Sequence, residues 1–423
     1  MSLRLRACFR CIKVILRRNN VPFVRSLCYV HKETDTVPPS HKGQVLPVLF
    51  TKGTHYEVGY SIGSVFGGRI RKYLISSSLV QNRLLPFYKT SRGRDIYEEY
   101  LDAAEKSFPQ YVKEIRGMAD GSGMPFEHLF LMNFSKEVYS VHYYEMQSDA
   151  SKQVNGCSTV HINRPDTKIL AHNEDAEPMI APNSYIVSAH IIDQESNAGI
   201  VKCTEEHFAA FSYPGFLPGY AFGFNKHGMI FAINELCPKK ASEGSSPVSI
   251  ICRALLSASS MDEVICIARN KGFGSADGFN INVASLNSKE MWALEVGPGK
   301  PESRLQLTTI PEQEEASKPC HYFHFNQYKH IKDVAERSDL QSTVARAKRA
   351  EEIAPPKTVQ DVMVILGDTG NCSYPLFRRP NDIDDSTTAC TAIFDIRQKT
   401  MEIYTENPAM DNSSPVLKLP LTF

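Results

Sequence analysis

The stretch that decides the fold runs Gly156-Cys157-Ser158-Thr159-Val160-His161-Ile162-Asn163-Arg164-Pro165-Asp166-Thr167-Lys168-Ile169-Leu170-Ala171-His172-Asn173-Glu174-Asp175. Two segments with apolar centres flank turn-forming residues at 164–167, which is the pattern of a β-hairpin. Pairing that is symmetric about this turn makes the numbers of paired residues sum to about 331, give or take one. Cys157 is then expected opposite residues 173–175, two of which are acids.

Acidic residues at the end of a strand with an apolar middle need a physical reason. Burying a carboxylate without a partner costs several kcal/mol. One interpretation makes Cys157 an inert core residue, with Glu174 and Asp175 capping a loop. The other makes Cys157 a nucleophile that works with these acids. The Gly156-Cys157 dipeptide is a weak signal, so the hairpin alone leaves both interpretations open.

A second hairpin supplies another candidate residue. Two predicted strands flank the turn at 225–228, and the second of them ends in Asn234. An asparagine amide at the end of a strand can donate a hydrogen bond to an oxyanion. It can equally be an ordinary strand-edge residue.

The composition excludes several classes of protein. Hydrophobic residues make up 42% and charged residues 22%, as in ordinary globular proteins. Lysine plus arginine equals aspartate plus glutamate at 47 each, so no net charge attracts nucleic acid. The eleven cysteines are odd in number and irregularly spaced, which argues against a secreted disulfide framework. Cys8 and Cys11 form a CxxC without a second ligand pair, so no metal and no cofactor are expected.

No stretch approaches the length of apolar sequence that spans a bilayer, so no membrane span is expected. Residues 1–32 are basic, with no acid before Glu33, and residues 1–43 are interpreted as an N-terminal extension. This extension is either disordered or an amphipathic mitochondrial transit peptide. Cytoplasmic localisation is therefore expected, with the mitochondrion as the alternative.

The predicted elements indicate sheets covered by helices. After a strand at 45–50 and a loop at 53–60, the chain up to about residue 148 is predicted to be mostly helical. From residue 156 onward, blocks of strands alternate with pairs of helices. This order favours layered sheets with helices on their outer faces over a βαβ parallel sheet.

Several further stretches carry a family resemblance: Gly53-Thr54-His55-Tyr56-Glu57-Val58-Gly59, Ser107-Phe108-Pro109-Gln110-Tyr111-Val112, Glu205-Glu206-His207-Phe208, Arg253-Ala254-Leu255-Leu256, Asn407-Pro408 and Leu419-Pro420-Leu421. Together with the Cys157 hairpin, they resemble the penicillin acyltransferase-like branch of the N-terminal-nucleophile hydrolases. The resemblance extends from about Val45 to Phe423. It implies an α+β fold, a four-layer αββα sandwich of two antiparallel sheets between helical layers.

The resemblance also implies self-cleavage between Gly156 and Cys157. Residues 44–156 and 157–423 would then form the two chains of a heterodimer. Cys157 would be the nucleophile, Asp175 would support it, and Asn234 would complete the oxyanion hole. Many family members carry an aromatic residue where this chain has Glu174.

Within that family, the likeness is to members that cleave β-alanyl amides of biogenic amines, such as β-alanyl dopamine and β-alanyl histamine. The expected partner is therefore a small amide with a cationic end. Four carboxylates could bind that ammonium and are not ranked: Glu174, Glu205, Glu206 and Glu235. Four aromatic residues could receive the amine's ring or could simply pack the core: Phe216, Tyr220, Phe222 and Phe224.

Three other interpretations stay open. The first keeps the chemistry but changes the acyl group, as in another acyl amidase or an acyltransferase. The second is a papain-like pair of Cys157 and His324 with Asn326, although the local signatures of that class are missing. The third is an uncleaved binding protein that retains the fold.

Overall fold

The computed structural model describes residues 27–28, 45–142, 156–195, 198–315, 320–338 and 340–423. Nearly all of the extension at 1–43 lies outside these residues, including Cys8 and Cys11, so the predictions about it remain predictions. Within the described ranges, no helix combines the length and the apolar character needed to cross a membrane.

The helices fall into one group before the Cys157 hairpin and two pairs after it. They are α1 (His55–Ser76), α2 (Leu85–Lys89), α3 (Ser91–Ser107), α4 (Pro109–Ser122), α5 (Phe126–Asn133), α6 (Ser135–His142), α7 (Val248–Leu255), α8 (Met261–Arg269), α9 (Gln341–Glu352) and α10 (Val359–Leu366). A π-helical turn at Val80–Leu84 precedes α2, and a 3-10 turn lies at Ala181–Asn183.

The strands begin with a short pair near the N-terminus and continue to the C-terminal end. They are β1 (Leu27–Cys28), β2 (Val48–Gly53), β3 (Ser158–Asn163), β4 (Lys168–Ala176), β5 (Tyr185–Ile192), β6 (Glu205–Ser212), β7 (Phe222–Asn225), β8 (Met229–Leu236), β9 (Gly278–Ser285), β10 (Met291–Gly297), β11 (Arg304–Ile310), β12 (His321–His324), β13 (Thr387–Asp395), β14 (Thr400–Tyr404) and β15 (Leu417–Pro420).

These strands form two sheets. The nine-stranded sheet has the order β1-β2-β5-β6-β7-β8-β9-β10-β11, and the six-stranded sheet has the order β12-β3-β4-β13-β14-β15. The α+β class is thus confirmed. The expectation of purely antiparallel sheets is wrong at one place, because β2 pairs with β5 in parallel. A parallel pair needs a long crossover, and α1–α6 together with the β3–β4 hairpin provide it.

Helices cover the outer faces of both sheets. Helices α9 and α10 pack on the six-stranded sheet, where Val160 and Ile169 contact Val362 and Ile365 in one apolar cluster. The opposite face of that sheet packs against the nine-stranded sheet, and α1 lies against β2 and β5 on the far side. The implied αββα layering is therefore present.

The long helix α1 corrects the prediction of a loop at 53–60. Thr54 caps the helix, because its side chain accepts from the Glu57 N–H while the Glu57 side chain reaches back. The glycines that suggested a loop serve helix packing instead. A Cβ on Gly59 would lie 1.9 Å from the Glu114 carbonyl oxygen of α4, and one on Gly117 would lie 2.0 Å from the Tyr56 oxygen. Close contact between α1 and α4 therefore requires glycine.

A buried ionic cluster ties the helical layer to the nine-stranded sheet. Arg253 of α7 donates through Nε to both Glu114 oxygens at 3.1 Å and through Nη1 to Glu206 Oε2 at 2.7 Å. All three side chains are fully buried. Because each charge has a partner, their burial is tolerated. Glu206 therefore has a structural role as the partner of Arg253.

Candidate active site

The β3–β4 hairpin has the register expected from the sequence. Ser158 pairs with Asn173 and Thr159 with His172, so the numbers of each pair sum to 331. The turn closes with a hydrogen bond from the Arg164 N–H to the Thr167 carbonyl. This register places Cys157, immediately before β3, beside the end of β4.

The Cys157 thiol is buried, with only 5% of the residue exposed. Its Sγ donates to Glu174 Oε2 at 3.4 Å. Burial, with the nearby acids Glu174 and Asp175, raises the pKa of this thiol well above its usual range. A backbone hydrogen bond from Asp175 acts in the opposite direction. In this structure the thiol therefore stays protonated.

Two buried arginines bind the carbonyl groups on either side of the Gly156-Cys157 junction. Arg378 Nη1 donates to the Gly156 oxygen at 3.3 Å, and Arg346 Nη1 donates to the Cys157 oxygen at 2.8 Å. A Cβ at position 156 would lie 2.5 Å from Arg346 Nη2 and 2.7 Å from Asn326 Oδ1. Glycine therefore fits at position 156 as the structure stands, whereas any larger residue would require the neighbouring side chains to move.

Asp175 lies beside one of these two arginines, Arg378. Its Oδ1 accepts from the Thr388 hydroxyl at 2.7 Å, and its Oδ2 is 3.7 Å from Arg378 Nη1. Oδ2 accepts no hydrogen bond from the described residues. Burial raises the pKa of Asp175 to about 6, although Arg378 and Arg346 lower it. One carboxylate oxygen is thus available next to the Gly156-Cys157 backbone.

A chain of hydrogen bonds connects Glu174 to Asn234. Thr159 donates its hydroxyl proton to Asn234 Oδ1 at 2.9 Å, so its oxygen accepts from His172 Nδ1 at 2.8 Å. Burial lowers the pKa of His172 to about 3, so the ring is neutral with its proton on Nδ1. His172 Nε2 then accepts from Glu174 Oε2 at 2.9 Å. This assignment requires a protonated Glu174.

The electrostatics of Glu174 agree with that assignment. Burial, and then the charge of Glu235, raise the pKa of Glu174 well above its ordinary range, against the lowering effect of the Cys157 hydrogen bond. The Tyr213 hydroxyl donates to Oε1, the other oxygen of the same carboxyl group. Glu174 is therefore a neutral acid below the thiol and is a poor counter-ion for a cation.

Asn234 presents one amide group with two different ends. Its Oδ1 accepts from Thr159 and also from Asn282 Nδ2 at 2.7 Å, which fixes the orientation of the amide. Its Nδ2 is buried and has no hydrogen-bond partner among the described residues. A buried donor without an acceptor costs about 1–3 kcal/mol. The amide is therefore oriented to donate to an acceptor outside the described residues.

An aromatic cluster lies next to these groups. Tyr213, Phe216 and Tyr220 have ring centroids 5.4–6.0 Å apart. The Tyr220 hydroxyl donates to Glu235 Oε1 at 2.6 Å. Tyr220, singled out from the sequence, thus lies at the site. Phe222 is buried between the sheets, and its ring lies 6.1 Å from that of His172, so it packs the core beneath the site.

Two sequence candidates are not brought to the site. Glu205 begins β6 at the opposite end from Tyr213, about 26 Å away along an extended strand. Its side chain is 50% exposed and pairs with His190 at 2.9 Å and Lys226 at 3.1 Å. His324 points at Glu295, 3.6 Å away, so the papain-like pair with Cys157 does not form.

One group of side chains could share a metal ion. The ligand atoms of Cys157, His172 and Glu174 all lie within 4.8 Å of one another, and no other such group occurs in the ranges that the structure describes. The hydrogen bonds among these three residues account for their positions without an ion.

Sequence reasoning missed the two arginines, Tyr213 and the His172–Thr159 connection. Thr159 and His172 could have been found, because their numbers also sum to 331 and Thr159 follows Cys157 by two residues. Arg346 and Arg378 come from chain segments about 190 and 220 residues away. No local pattern marks them.

Comparison with known proteins identifies the family. Residues 162–410 match the family model described as acyl-coenzyme A:6-aminopenicillanic acid acyl-transferase. The chain belongs to this family. It is also 35% identical over 387 residues to the β-alanyl-dopamine/carcinine hydrolase of Drosophila melanogaster, covering 90% of this chain and 97% of that protein. The family resemblance seen in the sequence is thereby confirmed.

A solved structure also resembles this family member. It is the penicillin V acylase of Agrobacterium tumefaciens, with a TM-score of 0.36 and 12% sequence identity over 59% of this chain and 82% of the acylase.

Proposed function

We propose that this protein is a self-cleaving thiol amidohydrolase that acts on β-alanyl amides of biogenic amines, with Cys157 as the N-terminal nucleophile. The observation that carries the proposal is the 35% identity to a β-alanyl-dopamine/carcinine hydrolase over 97% of that enzyme's length. The arrangement of Cys157, Asp175 and Asn234 supports the same chemistry.

Self-cleavage is the first step of the proposed mechanism. The Cys157 sulfur attacks the Gly156 carbonyl carbon, the peptide C–N bond breaks, and the departing nitrogen takes the thiol proton to become the α-amino group of Cys157. Arg378 donates to the Gly156 oxygen, which stabilises the negative charge that develops there. Water then hydrolyses the resulting thioester and leaves Gly156 as a free carboxylate.

Cleavage converts an amide nitrogen into a base. A free α-amino group has a pKa of about 7.7–8.0 and an ordinary thiol one of about 8.5, so proton transfer between them is nearly balanced. The Asp175 Oδ2 atom, which accepts no hydrogen bond from the described residues, is suited to hold the ammonium form. A histidine base is therefore unnecessary.

Substrate turnover uses the same sulfur. The thiolate attacks the acyl carbonyl, and the Asn234 Nδ2 donates to the oxyanion. The α-ammonium group protonates the departing amine, and the acyl-enzyme is hydrolysed by water. The products are β-alanine and the free amine.

Two measurements test this proposal. Cleavage at Gly156-Cys157 divides the 47.4 kDa chain into pieces of about 17 and 30 kDa, in proportion to their lengths, and Cys157→Ala should leave one intact band. Purified cleaved protein should release dopamine from β-alanyl dopamine and histamine from β-alanyl histamine. An intact chain that still releases amine would refute the mechanism, and inactivity towards both amides would refute the substrate assignment.

A further inference from the structure

The proposed substrate carries an ammonium group two methylenes from the carbonyl carbon that Cys157 attacks. A short acyl chain of this kind needs a counter-ion close to the nucleophile. Of the four carboxylates named from the sequence, Glu206 is paired with Arg253, and Glu205 is exposed and paired with Lys226. Glu174 is hydrogen-bonded as a neutral acid. Only Glu235 is left among the four.

Hydrogen bonds connect the backbone of Glu235 to the backbone of Cys157. Its carbonyl oxygen accepts from Asn326 Nδ2 at 3.0 Å, and Asn326 Oδ1 accepts from Arg346 Nη2 at 3.0 Å. The same guanidinium donates to the Cys157 carbonyl. Glu235 also follows Asn234 directly in β8. Because consecutive side chains of a strand point to opposite faces, the Glu235 carboxylate lies on the other face from the Asn234 amide and is linked to the site through Tyr220.

Among the described residues, the Glu235 carboxylate has no cationic partner. Glu235 is partly buried, and its side chain accepts one neutral hydrogen bond, from Tyr220. Within the described ranges, it forms no ion pair at 4 Å or less. The charge of Glu235 helps to raise the pKa of Lys136, but the Lys136 ammonium lies 3.8 Å from its own partner, Asp277. The charge of Glu235 also reaches the thiol, since it contributes to the raised pKa of Cys157.

The aromatic cluster completes the environment of an ammonium group. Tyr220 stacks on Phe216 with ring centroids 5.6 Å apart, and Tyr213 meets both rings edge-on. Tyr213 also donates to Glu174, so the cluster connects the thiol side of the site to Glu235. Aromatic faces stabilise a nearby cation, which adds to the attraction of the carboxylate.

We propose that Glu235, held by Tyr220, is the residue that selects a β-alanyl group by binding its ammonium. This inference rests on the proposed amidohydrolase function and goes beyond it by assigning acyl specificity to one side chain. A neutral acyl group of the same size gains nothing from Glu235.

The test compares two amides of dopamine that differ in one group. In N-butyryl dopamine, a methyl group replaces the ammonium of β-alanyl dopamine. Wild-type enzyme should prefer the β-alanyl amide in kcat/KM by about 30-fold or more, the lower end of the effect of removing a buried charge partner. Glu235→Gln should lower kcat/KM for the β-alanyl amide by that factor and should change kcat/KM for the butyryl amide little.

A matched control and a second variant make the test specific. Glu402 is also a partly buried glutamate that accepts from a tyrosine hydroxyl, Tyr404 at 2.8 Å, but its cationic partner is Lys418. Glu402→Gln should leave both rates unchanged. Glu235→Asp keeps the charge and should show a smaller, still selective, loss, which preserves the test if Glu235→Gln does not fold.

The outcomes separate this inference from the proposed function. Equal loss on both amides, or no loss on either, would overturn the role of Glu235 while the amidase activity stands. A wild-type enzyme that cleaves the butyryl amide as well as the β-alanyl amide would overturn it too. Release of dopamine from neither amide would overturn the proposed function itself.

Discussion

Replacement of Asn234 tests the oxyanion role most directly, because the two ends of its amide have different partners. Asn234→Ala removes the buried Nδ2 donor and also the acceptor of Thr159 and Asn282. Asn234→Asp keeps an acceptor oxygen for both neighbours and, in its ionised form, replaces the Nδ2 donor with a second acceptor oxygen. Comparing the two variants therefore separates catalysis from support of the fold.

The structure sets the expected magnitudes. Nδ2 has no partner among the described residues, so under the proposed mechanism it is free to donate to the developing oxyanion. Loss of one such donor costs about 3–4 kcal/mol, or about 10²–10³ in kcat, with little change in KM. Asn234→Ala additionally leaves the donors on Thr159 and Asn282 unsatisfied, which costs about 1–3 kcal/mol of stability for each donor.

The assay is release of dopamine from β-alanyl dopamine at saturating substrate, divided by the amount of cleaved enzyme seen on a denaturing gel. Self-cleavage is expected to continue in both variants, because Arg378 binds the Gly156 oxygen. Asn225 of the neighbouring strand β7 provides the control. Its Nδ2 donates to the Leu256 and Ala258 carbonyls at 3.1 and 2.7 Å, so Asn225→Ala should lower the melting temperature without lowering kcat.

The result that refutes this reasoning is a kcat within about threefold of wild type in Asn234→Ala, since that variant has no side-chain donor at this position. A fall in kcat for Asn225→Ala as large as that for Asn234→Ala would also count against it. Such a result would show that the assay reports stability rather than catalysis.

Four further predictions follow from single contacts. Gly156→Val should slow the appearance of the 30 kDa fragment on a gel, because its side chain would displace the groups that bind the junction. Gly59→Ala should lower the melting temperature, since its Cβ would meet a backbone oxygen at 1.9 Å, whereas Gly68→Ala on the same helix has open space and should be neutral or stabilising by up to about 1 kcal/mol. Arg253→Met should cost about 3–5 kcal/mol in chemical denaturation, because two buried carboxylates lose their partner. In an uncleaved Cys157→Ala background, ionisation of Asp175 lowers the free energy of unfolding, because its pKa of about 6 in the folded chain lies above the ordinary 3.8. This loss of stability is absent below pH 4 and complete above pH 6. Asp175→Asn should remove it, so the free energy of unfolding from denaturation curves should fall by about 2–4 kcal/mol less across this pH range.

The hairpin and the helices after residue 90 were predictable because their signals are local. The turn residues 164–167 and the alternation around them determine the register, so the sequence alone places Cys157 beside the acids. The prediction failed at α1, where glycines at helical spacing suggested a loop. Glycine disfavours an isolated helix, but here close packing against α4 compensates for that cost.

The candidate site also has a part that the sequence predicted and a part that it could not predict. From the sequence, Cys157, Glu174 and Asp175 share one hairpin, and the family resemblance added Asn234. Their different protonation states depend on burial and on neighbours from other strands, which no local pattern encodes. The carboxylates named for the substrate ammonium could not be ranked for that reason.

The sequence by itself determined the strand pairing around Cys157, because side-chain alternation and turn chemistry act between residues close in the chain. Only the tertiary structure decided which groups serve the thiol. It brought Arg346 and Arg378 to the Gly156-Cys157 junction and left the Asn234 Nδ2 without a partner among the described residues. Such contacts depend on how two sheets and their helices pack, and they join residues that are distant in the chain.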